Sequence, residues 1–117
     1  MKVDLSYLKE MSGGDRSLVL EMIDIFNDQV DEFADNLDLH LGKKEYELLG
    51  KLAHKAKSSI SIMGLNDLAK DLKRLELDAK AGVNIADYPV IVDKFKEETK
   101  IAVRELDDVK NNMDLYF

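Results

Sequence analysis

The chain has 117 residues, 45% of them hydrophobic and 35% charged, with a formal net charge of −7. That supplies one hydrophobic core and a single domain spanning 1–117, and the negative field excludes binding to a phosphate backbone, hence to nucleic acid. Cysteine is absent, which rules out disulfides, thiolate metal sites and cysteine nucleophiles. The first residues, with Asp4, Lys9 and Glu10, lack the apolar run of a signal peptide. No stretch reaches the roughly 20 apolar residues of a membrane span, so no membrane is expected and the cytoplasm is the default location.

Leu5, Leu8 and Met11 predict a short leading helix, closed by Ser12-Gly13-Gly14. Asp15 is placed to cap a second helix running to about Leu41, with an inward stripe of Leu18, Met22, Ile23, Ile25, Phe26, Val30, Phe33, Leu37 and Leu41. A third helix is expected over Lys43–Met63, burying Tyr46, Leu49, Leu52, Ala53, Ala56, Ile60 and Met63. A fourth starts near Leu65, buries Leu68, Ala69, Leu72, Leu75 and Ala79, and stops before Gly82. Asp87 is expected to cap the last helix, with Pro89 in its first turn and Ile91, Val92, Phe95, Ala102, Leu106, Val109 and Met113 inward. Strand signals are weak. The fold class is therefore all-α: an antiparallel four-helix bundle with a short additional N-terminal helix.

On the third helix, at about 100° per residue, His54 falls roughly 140° from Leu49 and so off the core stripe. An exposed histidine is by default a surface residue without a task. Its neighbours argue otherwise. Gly50 and Ser58 are small and flank the imidazole one turn away on either side, and Ser61 lies a turn further. Gly50 in mid-helix costs about 1 kcal/mol relative to alanine. Lys51, Lys55 and Lys57 gather positive charge around this one imidazole in an acidic protein, which suits a phosphoryl group. A neutral imidazole is a nucleophile that can carry a covalent intermediate, and a lysine beside it stabilises phosphoryl oxygens. No Walker loop and no glycine-rich kinase loop is present, so the chain is not expected to be an enzyme with its own ATP site. Donor and acceptor must be other proteins.

The segment Ala53-His54-Lys55-Ala56-Lys57-Ser58-Ser59-Ile60-Ser61-Ile62-Met63-Gly64 resembles the signature of histidine-containing phosphotransfer (HPt) domains. In that family an alanine precedes the phosphorylated histidine, a lysine follows at the third position, a glycine at the fourth and a serine at the fifth, and a second glycine closes the helix. Ala53, Lys57, Ser59 and Gly64 fit this pattern, as does Leu75-Glu76 at the end of a leucine-rich helix. Ser58 departs from it, standing where the family has glycine, and Ala56 stands where a bulkier apolar residue is common. The resemblance implies a phosphorelay carrier. His54 would be the phosphoacceptor, through Nε2, and Lys57 would stabilise the phosphoryl group. It implies response-regulator receiver domains and a hybrid sensor histidine kinase as partners, with magnesium in the receiver's pocket and no metal or cofactor on this chain. Gly50, Lys51, Lys55, Ser58, Ser61 and Ile62 are the expected receiver-docking surface. Ile62 is placed outward on the helical wheel, and Met11, Leu18 and Met22 would extend the patch if the leading helix lies beside the third.

The rival reading is a non-catalytic acidic bundle that binds a partner without phosphorylation, separated from the first by its tolerance of His54→Gln. A carboxylate-bridged di-iron bundle is disfavoured. Such sites use Glu-x-x-His, whereas Leu37 precedes His40 and Lys51 precedes His54 by three residues. His40 near a helix end reads as a partner of the C-terminal dipole, and Lys94–Lys100 as a solvated face with intrahelical pairs. A monomer is expected, either freestanding or as one domain of a hybrid kinase.

Overall fold

Local signals set most of the helix boundaries in the computed structural model, which describes residues 1–117 and contains no strand. The helices are α1 (Ser6–Ser12), α2 (Arg16–Gly42), α3 (Tyr46–Ile62), α4 (Asn66–Ala81), α5 (Tyr88–Asn111) and α6 (Met113–Tyr116), with one 3-10 turn over Ile85–Asp87. Asp15 does cap α2: its carboxylate accepts from the backbone N–H groups of Ser17 and Leu18. Gly13 and Gly82 take the left-handed conformation that ends α1 and α4. The turn between α2 and α3 differs from the expected one. Gly42 closes the helix, and Lys44 is the residue with φ of 56°, so α3 starts at Tyr46 rather than Lys43. Asp87 makes no capping bond. Its carboxylate is taken by Arg74 of α4, and Pro89 alone marks the start of α5. The last expected helix breaks at Asn112, after which α6 forms a separate turn.

Helix α3 packs on α2 and α4, and α5 packs on α4 and α2, around one core of 26 buried residues. The molecule measures 46 × 20 × 20 Å, the proportions of long helices laid side by side. Every residue expected inward on α4 is buried, as is every one on α5, while Met113, expected on that same helix, lies on α6 and is half-buried. On α3, Tyr46 and Leu52 are half-buried, and the stripe of α2 departs further. Leu18 and Ile25 are exposed, and Val19 takes a buried place that the reading missed. Leu18, Met22 and Ile25 lie on the flank of α2 that also carries Gln29, whose Oε1 accepts from Ser59 Oγ of α3 at 2.8 Å. They therefore border the α2–α3 seam instead of filling the core.

The run Lys94–Lys100 of α5 was expected to be a solvated face with intrahelical pairs. Lys96 does reach Asp93, but Lys94 bonds Asp71 of α4 at 2.5 Å, and Lys96 and Lys110 bond Asp38 and Asp24 of α2 at 3.0 and 2.6 Å. No helix is long and apolar enough to cross a membrane.

Candidate functional site

Helix α3 positions the site because only one side of it is consumed by packing. Leu49, Gly50, Ala53, Ala56 and Ile60 are buried, which leaves Lys51, His54, Lys55, Ser58 and Ser61 exposed on the other side. The small core residues Ala53 and Ala56 and the bare backbone of Gly50 let α4 approach closely. A Cβ on Gly50 would stand 3.2 Å from Ala79 Cβ and 3.3 Å from the Glu76 carbonyl oxygen. Gly50 was expected to be part of the docking surface. It is instead buried beneath α4, and the mid-helix glycine is explained by that crossing.

The close crossing brings Glu76 of α4 under the imidazole. His54 is 62% exposed, and its Nδ1 lies 3.0 Å from Glu76 Oε2. The other carboxylate oxygen, Oε1, is buried without a hydrogen-bond partner, and Lys57 Nζ stands 4.0 Å from it. Glu76 is 20% exposed and Lys57 27%, so this pair is half withdrawn from water while the ring above it stays open. Burial pushes the Glu76 carboxyl up. Hydrogen bonding to His54 and the positive charges of His54, Lys73 and Lys57 outweigh that and hold it below the ordinary glutamate value. Glu76 is thus an anion under an exposed imidazole. In the sequence Glu76 stands out only as the end of a Leu-Glu pattern. Its one sequence signal is a carboxylate on the helix that follows the histidine, and nothing local tells which carboxylate reaches across.

Glu76 faces Nδ1 at ion-pair distance, and Nε2 has no protein partner; with the proton on Nδ1, the Nε2 lone pair is open to solvent. The arrangement can therefore offer a nucleophilic nitrogen at the surface, backed by one ammonium and one carboxylate.

The expected site residues fall into two neighbouring recesses. One gathers Gly50, Lys51, His54 and Lys55 with His40, Glu76 and Lys80. The other gathers Lys57, Ser58, Ser61 and Ile62 with Asp4, Ser6 and Tyr7 of the N-terminal segment. Lys51 pairs with Glu47 on its own helix at 3.6 Å, and Lys55 has no acidic partner within ion-pair distance. Ile62, expected to project outward, is half-buried and packs against the core, because the N-terminal segment crosses beside it. That segment is tied down firmly. Glu105 accepts from the backbone N–H groups of Lys2 and Val3, and Asp4 N–H donates to the Met63 carbonyl at 3.0 Å. Met11 and Leu18 are exposed and Met22 is half-buried. His40 lies in the last turn of α2, and its Nδ1 also sits 3.2 Å from Glu45 Oε1 across the turn.

Comparison with protein-family models, with curated proteins and with solved structures finds no match.

Proposed function

We propose that this protein is a phosphoryl carrier of a phosphorelay, with His54 as the group that receives and releases the phosphoryl. The observation that carries this reading is the exposed imidazole seated on Glu76 beside Lys57, with Lys51 and Lys55 on the same helix of an acidic protein. The resemblance of Ala53–Gly64 to the HPt signature points the same way. In this reading α2–α5 form an antiparallel four-helix bundle with α1 across one end, as one domain spanning 1–117. The mutual packing of α2 with α3, α3 with α4, α4 with α5 and α5 with α2 supports it.

The chemistry is an exchange between His54 and aspartates of receiver domains. The Nε2 lone pair attacks the phosphorus of an aspartyl phosphate. An N–P bond forms as the P–O bond breaks, and the aspartate leaves as a carboxylate with the electron pair. Lys57 reaches the phosphoryl oxygens as the cation of the site. A second receiver's aspartate reverses the step. The chain supplies no ATP site, and magnesium sits in the receiver. Receiver domains dock over Ser58, Ser61, Lys51 and Lys55, with Ile62, Leu18 and Met22 as the apolar element of the surface. Such a carrier works as a cytoplasmic monomer beside a hybrid sensor kinase.

The test is a transfer assay. A receiver domain charged with acetyl phosphate is mixed with the protein, and intact mass is followed with His54→Gln in parallel. The expected result is a gain of one acid-labile phosphoryl group that the variant lacks. No gain across a panel of receivers would return the protein to the rival reading, an acidic helical module that binds a partner without phosphorylation.

A further inference from the structure

Elsewhere in the protein, hydroxyl groups are spent on structure. Ser59 Oγ donates to Gln29 at 2.8 Å, Thr99 Oγ1 to the Phe95 carbonyl of its own helix at 2.7 Å, and Ser6 Oγ to Asp4 at 2.6 Å. A serine inside a helix has the carbonyl four residues back within reach, as Thr99 shows. Ser58 makes no such bond to His54, and its hydroxyl has no protein acceptor at all. It is exposed, directly beside the spent Ser59, and stands one turn after the candidate phosphoacceptor.

Its placement matters. With His54 at zero and about 100° per residue, Lys57 lies about 60° to one side and Ser58 about 40° to the other. Helical side chains lean toward the N-terminus, so Ser58 points back over the turn that carries His54, the two β-carbons about 5–6 Å apart. Lys57 and Ser58 line the same recess. Glu76 of α4 takes Nδ1, which leaves Nε2 to carry any group on the ring. A phosphoryl group there stands between an ammonium on one side and an unspent hydroxyl on the other.

We propose that Ser58 is a phosphoryl-binding residue: its Oγ–H donates a hydrogen bond to an oxygen of the phosphoryl group on His54 and so holds the charged form of the carrier. This deepens the proposed function and rests on it. The phosphoryl group brings three acceptor oxygens and a negative charge. Lys57 answers only part of that demand, since Glu76 also draws on it at 4.0 Å. The hydroxyl keeps its hydrogen throughout, and only the N–P bond and the P–O bond of the receiver's aspartate form or break. In the uncharged protein water satisfies the hydroxyl, so no buried group is left unpaired when the phosphoryl departs. The glycine that the resembling family has at this position offers no side-chain donor. The serine therefore gives this chain a hold on its cargo that the family pattern lacks.

The test sets two carriers in competition. Wild type is charged by a receiver domain, freed of donor, and mixed with uncharged Ser58→Ala and a trace of receiver that shuttles the phosphoryl group between them. Intact mass then gives the charged-to-uncharged ratio of each protein, approached from both starting sides. Receiver docking over Ser58 changes how fast the mixture settles but not where, so the final ratios report the hold on the phosphoryl group and not the interface. The ratio for Ser58→Ala is expected to fall about fivefold below wild type, the size of one net hydrogen bond. Ser58→Thr keeps the hydroxyl and should stay within about twofold of wild type. Ser58 is exposed, so all three proteins should melt alike. Equal ratios for wild type and Ser58→Ala overturn the inference and leave the carrier function standing. A ratio for Ser58→Thr as low as that for Ser58→Ala also overturns it, because the loss then follows shape and not the hydroxyl. Failure of the receiver to charge wild type refutes the carrier function and this inference with it.

Discussion

Two helices of this protein carry runs of lysine, and they use them in opposite ways. On α5, Lys94, Lys96 and Lys110 each bond an aspartate on a neighbouring helix, and those hydrogen bonds raise the affinity of all three for their protons. On α3, Lys51 pairs only within its helix, Lys57 stands 4.0 Å from Glu76, and Lys55 faces solvent. The residue type is the same, and the surroundings differ. Helix α5 lies between α4 and the acidic α2, and aspartates of both meet its cations. The outward face of α3 meets one carboxylate of α4, Glu76, beside His54 and Lys57, and Lys51 and Lys55 have no partner on another helix, so their charges stay available to something that is not part of the chain. A lysine-rich segment is thus a set of staples in one place and a receptive surface in the other.

The contrast can be broken most severely at the place that holds the N-terminal segment beside α3. Gly64 has φ of 73°, and a Cβ there would stand 2.6 Å from the Asp4 carbonyl oxygen and 2.8 Å from Asp4 Cα. Gly64→Ala should cost about 2–3 kcal/mol, from left-handed strain together with displacement of backbone. Chemical denaturation will show it, and hydrogen exchange should locate the loosening at the N–H of Asp4. An unchanged midpoint would mean that the N-terminal segment does not need its seat on Gly64.

Lys57→Ala should slow transfer by at least about tenfold while leaving the melting temperature nearly unchanged, because a half-exposed lysine contributes little to folding. Rapid-quench transfer beside thermal melts separates the two effects. A large drop in Tm with normal transfer would place Lys57 among the staples instead.

Lys94→Met and Lys55→Met sharpen the comparison directly. The first removes a cross-helix partner and should lower Tm by about 2 °C; the second should change it by less than about 1 °C. Raising the salt concentration should shrink the first effect. Equal shifts would show that the two runs do not differ as described.

The smallest effect concerns pH. The Glu76 carboxyl is held below its ordinary value of 4.5, so its contribution to stability is fully present above that value and is lost as pH falls through the lower folded value. Wild type and Glu76→Gln should therefore differ in Tm at neutral pH and converge as pH falls through the lowered folded value. A gap that widens on acidification would contradict the anion placed under His54.

Much of this architecture was legible along the chain. Leu68, Ala69, Leu72, Leu75 and Ala79 declared the buried face of α4, and Asp15 declared the start of α2, because periodicity and capping are relations between residues within one or two turns. The exposure of His54 and the basic face around it followed from the same local geometry. The misreadings have a common cause. Leu18 and Ile25 are apolar, yet they border a seam rather than the core. Asp87 looks like a cap, yet Arg74 reaches it first. Gly50 looks like a gap left for a visitor, yet α4 fills it.

What the sequence determined by itself was the helical class, the core faces of α4 and α5, and a lone histidine set outward among lysines. Only the tertiary structure decided which carboxylate stands beneath that histidine, which lysines are spent on neighbouring helices, and that the N-terminal segment walls the recess beside Lys57. Those are contacts between residues 22 to 103 positions apart, such as His54 with Glu76 and Lys2 with Glu105. Helical periodicity governs neighbours three and four residues apart, whereas partners on different helices are chosen by how closely two backbones can approach. Here a glycine and two alanines on α3 set that approach.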